Sequence, residues 1–101
     1  MSGVRAIVGK IHQLFLCNRN NSSWDEKSCI HLCSIIGENF ESFTIQEGVG
    51  YFRSVSAPTI IVTLGTDDTE LVCLVGQKLR QEFSQEGVGL ACDGIYQRLI
   101  A

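Results

Sequence analysis

The sequence predicts one α+β domain in which a four-stranded antiparallel sheet carries two helices on one face, in the chain order βαββαβ. Three observations lead there. The stretch from Phe43 to Gly65 reads as two strands joined by a short polar break, the segments from Trp24 and from Thr66 repeat apolar residues at helical spacing, and alternating or β-branched runs stand at either end. With 101 residues the chain has room for a single core.

The first strand spans Val4 to Leu16. Its imperfect alternation puts Ile7, Ile11 and Phe15 on the buried side and Lys10 and His12 on the other. Asn18 to Ser23 is dense in residues whose side chains bond their own backbone, which makes it a loop, with Ser22 or Ser23 as helix cap. From Trp24 to Glu38 the apolar positions Cys29, Leu32, Cys33 and Ile36 share one helical stripe. In the second strand Phe43, Ile45, Val49 and Tyr51 oppose Thr44, Gln46, Gly48 and Gly50. Arg53 to Pro58 forms the break, and Thr59 to Leu64 is a third, β-branched strand.

Thr66-Asp-Asp-Thr-Glu70 supplies capping groups followed by an acid in the first turn, a strong helix start. Leu71, Val75, Leu79 and Phe83 then recur every fourth residue, and burying them contributes roughly 6–12 kcal/mol at ~1.5–3 kcal/mol each. Gly76 inside this helix costs about 1 kcal/mol against alanine, which points to a close contact there. Val88 to Cys92 is the last strand, with Asp93-Gly94 a turn or bulge and Ile95 to Ile100 extending or pairing with it. Two strand-helix-strand units of right-handed crossover interleave in this order, the ferredoxin-like arrangement; the alternatives are a dimeric barrel of the same unit or an uncommon α+β sandwich.

Composition excludes several functions. A net charge of −3 with 45% hydrophobic and 19% charged residues gives no footprint for nucleic acid or an acidic membrane. Lys10, His12 and Gln13 interrupt the apolar N-terminal run, so it reads as part of the fold rather than a signal peptide, and no stretch approaches the ~20 apolar residues of a membrane span. Five cysteines, Cys17, Cys29, Cys33, Cys73 and Cys92, form no regular framework and fit reduced core thiols in a cytoplasm. The overlapping sequons at Asn20 and Asn21 then carry no weight. No metal or cofactor is expected: Cys29 and Cys33 share a helix stripe from which His31 points away, and neither Gly-Val-Gly has the third glycine of a dinucleotide loop. The pentapeptide Gln-Glu-Gly-Val-Gly, at 46–50 and 85–89, is read as coincidence.

A single helix layer leaves one sheet face open. Lys10, His12, Thr44, Gln46, Ile61 and Thr63 are expected on it, a polar and apolar mixture suited to a second copy or a ligand. Tyr51 and Arg53, with Glu47 and Asp93, are candidates for a small pocket at the sheet end. His12 is the weak candidate for a general base, since histidine titrates near neutrality, but no nucleophile or paired acid can be set beside it.

Phe43-Thr-Ile-Gln-Glu-Gly-Val-Gly-Tyr-Phe52, Ile60-Ile-Val-Thr-Leu64 and the amphipathic helix ending Phe83-Ser-Gln-Glu-Gly-Val-Gly89 resemble small bacterial proteins of ferredoxin-like type, over about half the chain. The chain is also loosely similar to PII-type signalling proteins, a resemblance that implies nucleotide-binding trimers. Arg53 to Pro58 leaves no room for their long effector loop, so only the fold carries over. The expected function is non-catalytic: a self-associating binding or regulatory protein, a homodimer or higher homo-oligomer, with a small molecule or protein on its open face. The alternative is a small enzyme of the dimeric α+β barrel type, with His12, Gln46 and Tyr51 lining a cavity between sheets. A third expectation is redox sensing through Cys29 and Cys33.

Overall fold

A computed structural model of the chain describes residues 3, 5, 6, 8–18 and 24–101. The elements are β1 (Lys10–Cys17), α1 (Glu26–Gly37), β2 (Thr44–Phe52), β3 (Val55–Thr66), α2 (Thr69–Glu82), β4 (Gly87–Cys92) and β5 (Ile95–Ile100). All strand pairings are antiparallel, and the sheet order is β2-β3-β1-β4-β5. Val4, Ile7, the Asn20 and Asn21 sequons, and Ser22 and Ser23 lie outside the described residues.

The expected four-stranded, ferredoxin-like βαββαβ sheet is overturned, because the chain adds a fifth strand. Asp93 and Gly94 both take left-handed φ values, 53° and 73°, so they form a two-residue turn rather than a bulge. Cys92 then pairs with Ile95, and the ladder runs on to Gly87 opposite Ile100. The new strand has its own core contact: Leu99 is buried, and a Cβ on Gly76 of α2 would lie 2.5 Å from its Cδ1. The glycine inside the helix is thus the gap that admits β5.

The break between β2 and β3 is also shorter than Arg53 to Pro58. Only Arg53 and Ser54 form the turn, both with positive φ, and β3 begins at Val55. Pro58 fits inside a strand because its carbonyl accepts from Asn18 N at 2.8 Å. Its ring nitrogen therefore points the same way, past the end of β1, and no bond to β2 is lost.

Both helices cover one face. Each starts on a carboxylate cap rather than a hydroxyl: Asp25 accepts from Ser28 N at 2.7 Å and Asp68 from Leu71 N at 2.9 Å. The Ser28 amide holds the Asp25 carboxyl below its usual range. Trp24 anchors the entry to α1, donating from Nε1 to the Pro58 carbonyl and meeting the Phe83 ring edge-on at 5.6 Å. Leu32, Ile35 and Ile36 of α1 join Val72, Val75 and Leu79 of α2 over Leu14, Leu16, Ile60, Val62, Val88 and Leu90. His31–Glu82 and Lys78–Glu38 link the helices at the surface, where such pairs contribute only about 0–1 kcal/mol.

If β5 is an integral layer of this core, Leu99→Ala should cost about 2–4 kcal/mol in urea unfolding. A change below about 0.5 kcal/mol would show β5 to be an appendage.

Candidate functional site

The phase of β1 is the reverse of the sequence reading. Leu14 and Leu16 face the helices with His12, whereas Ile11, Gln13, Phe15 and Cys17 lie on the open face with Gly65, Thr63, Ile61 and Thr59 of β3. Because side chains alternate with a period of two, the choice between Ile11 with Phe15 and Leu14 with Leu16 moves the whole set.

His12 is therefore neither on the open face nor in a cavity between sheets. It is completely buried, with Nδ1 3.0 Å from the Lys10 carbonyl and Nε2 2.9 Å from Thr69 Oγ1. A carbonyl only accepts, so Nδ1 carries a proton and donates, and in the neutral ring Nε2 accepts from the Thr69 hydroxyl. Both ring nitrogens are bonded, Nδ1 within β1 and Nε2 to the first turn of α2. Lys10 is likewise engaged, in an exposed ion pair with Asp93 at 3.3 Å.

Thr44, Gln46, Ile61 and Thr63 do share the open face, paired Thr44 with Thr63 and Gln46 with Ile61. Thr63 accepts from Gln13 Nε2 at 3.2 Å. None of these four lines the cleft described next. Glu47 pairs with Ile60, on the helix side, and Tyr51 and Arg53 lie at the far end of the hairpin.

The concave site forms at that far end. A cleft of about 290 Å³ lies between the β2–β3 tip and β5, lined by Phe15, Phe52, Val55, Gln85, Tyr96 and Arg98 among others, with Tyr51 at its rim. Phe15 and Tyr96 stack obliquely at 6.4 Å. Two glycines of β4 shape it. A Cβ on Gly89 would lie 2.6 Å from the Tyr96 hydroxyl and one on Gly87 would lie 2.5 Å from Arg98 Nε, so each absent side chain is the seat of a β5 residue. The second Gln-Glu-Gly-Val-Gly, with Gln85 and Glu86 also on the lining, is thus a working part of the site. In the first copy, Gly50 plays a similar part: its missing Cβ leaves room for the Thr59 hydroxyl.

The same end of the molecule exposes apolar side chains. Val49, Tyr51 and Val55 on the hairpin are 64–74% exposed, and Tyr96 of β5 is 63% exposed.

Cys17 lies on the cleft lining, and the other four cysteines do not. All five are free thiols, and Cys29, Cys33 and Cys73 pack against the core. Burial, reinforced by the charge of Glu47, raises the Cys29 thiol above its ordinary value, which disfavours the reactive thiolate. Among the described residues no three His, Cys, Asp or Glu side chains are grouped to hold a metal, and no helix is long and apolar enough to cross a membrane.

No family model matches the sequence, and the search of curated proteins gives no match. Among solved structures the fold is similar to that of a phage SAM lyase in its apo state. The likeness has a TM-score of 0.64 and covers 99% of this chain and 97% of that one, at 20% identity. It bears on the architecture, and it spans the fifth strand as well as the first four.

His12→Ala should destabilise the fold by about 2–4 kcal/mol in chemical denaturation, from the cavity and the stranded Thr69 hydroxyl. The cleft is on the other side of the sheet. Loss of ligand binding in a folded His12→Ala protein would contradict the structural role.

Proposed function

We propose that this chain is a small-molecule-binding protein that works as a homo-oligomer, with its ligand in the cleft between the β2–β3 tip and β5. The observation that carries this reading is the pair of glycine seats in β4, which lay Tyr96 and Arg98 beside Phe15 and Phe52 around a concave space. Its volume is near the lower end of the range of ligand pockets, about 300–1,000 Å³, and its aromatic lining with a few polar groups is typical of them. The exposed Val49, Tyr51 and Val55 support self-association, because large apolar side chains grouped at one end of a small domain are ordinarily covered. Binding across such an interface places the ligand partly between copies.

Native mass spectrometry of freshly purified protein tests both halves of this reading. The expected spectrum shows two or more chains and a retained small molecule, with Gly89→Val losing the small molecule. A monomer at tens of micromolar with an empty cleft, unchanged by Gly89→Val, would end it.

A second reading is an enzyme that acts on S-adenosylmethionine in the same cleft. The likeness to the phage SAM lyase over nearly the whole of both chains favours it. The aromatic faces of Phe15 and Tyr96 suit a sulfonium cation. Incubation with S-adenosylmethionine alone, followed by liquid chromatography and mass spectrometry, distinguishes the two. Loss of the compound over the protein-free control supports the enzyme, and binding without loss supports the first reading.

A further inference from the structure

Two arginines, one in the β2–β3 turn and one in β5, both approach the ring of Phe52, which lines the cleft. The Arg53 guanidinium carbon lies 5.0 Å from the centre of the Phe52 ring, and that of Arg98 lies 5.3 Å from the same centre. Arg53 stands in the β2–β3 turn and Arg98 in β5, the two edge elements of the order β2-β3-β1-β4-β5. Both distances are within the reach of a cation–π contact. Two cations on one ring nevertheless repel each other, and among the described residues neither guanidinium has an ion-pair partner.

Both arginines are set in place by local features. Arg98 lies flat across Gly87, where a Cβ would meet its Nε and Cζ at 2.5 and 2.7 Å. Arg53 and its neighbour Ser54 take φ values of 51° and 66°, the left-handed region that glycine or asparagine ordinarily fills in such a turn. Backbone held there by side chains other than glycine concentrates at ligand sites. The result is two guanidinium groups on one ring beside a cleft whose lining also carries the Glu86 carboxylate, on a chain of net charge −3.

We propose that Arg53 and Arg98 form an anion-binding cap over Phe52 that holds the carboxylate or phosphate of the ligand whose ring system occupies the cleft. This rests on the cleft reading above and adds to it the chemical class of the group at its mouth. A carboxylate or phosphate matches the planar donor fork of a guanidinium and neutralises the repulsion between the two. Since both arginines are solvent-exposed, a free anion is held weakly, and an anion attached to a ring in the cleft is held more tightly because one binding event supplies both contacts.

Two measurements test this at constant ionic strength. In the first, ¹⁵N-labelled protein is titrated with pyrophosphate and with acetate while the arginine Nε resonances are followed. Saturable shifts of Arg53 and Arg98 but not Arg80, lost in Arg98→Ala and reduced in Gly87→Ala, are expected. Shifts equal in all three arginines would overturn the cap. In the second, calorimetry compares S-adenosylmethionine, adenosine 5′-monophosphate and adenosine. At least one of the two compounds that carry an anionic group should bind ten-fold or more tightly than adenosine, and which one it is separates carboxylate from phosphate. Arg98→Ala and Arg53→Ala should each remove that advantage, so that the compound bearing the anionic group binds no more tightly than adenosine to the same variant. Equal affinity for all three, insensitive to either variant, would overturn the cap while the cleft reading stood. Saturable arginine shifts with no binding of any adenosine compound would support the cap and count against an adenosine ligand in the cleft.

Discussion

The alternation of β1 is the constraint on which the other elements depend. β1 is bonded on both sides, to β3 and β4, and its inward residues His12, Leu14 and Leu16 are all fully buried. A shift of one residue would bring Ile11, Gln13 and Phe15 beneath α2 and send two leucines to the open face. The histidine belongs to the constraint, since both its nitrogens are bonded and one bond reaches the first turn of α2. The register that gives the helices their floor also leaves Phe15 on the outside, where the cleft uses it.

Much of this architecture is legible in the sequence, at the places where one local signal stands without a rival. Thr66-Asp-Asp-Thr-Glu70 marks the start of α2, where Asp68 provides the cap, and the two faces of β2 divide as its alternation indicates. The sequence misleads where two patterns compete. In β1, isoleucine and phenylalanine at one phase outweigh two leucines at the other only if Ile7 is counted, and histidine reads as polar although its buried bonds satisfy it. At Asp93-Gly94 the signal for a tight turn is present, and counting four strands hides the strand that follows it.

The cleft is harder to read from the sequence, because two of its determinants carry no chemistry of their own. Gly87 and Gly89 matter through what lies on them, and that depends on β5 being in register beside β4. Arg98 and Phe52 belong to opposite edges of the sheet and meet only through the folded hairpin. The repeated Gln-Glu-Gly-Val-Gly was a usable signal. In both copies the glycines fall on the open face, and in the second the whole pentapeptide is at or beside the site.

The way Tyr96 and Arg98 rest on the β4 glycines bears on the entropy of binding. A free arginine side chain has about 2 kcal/mol of rotamer freedom to lose when a ligand fixes it. Arg98 lies along the Gly87 backbone and Tyr96 along Gly89, so part of that freedom is surrendered when the sheet forms. Under the proposed function, the two residues meet their ligand already laid down in place. Affinity at this cleft then depends on the match between ligand and wall more than on the cost of ordering the wall.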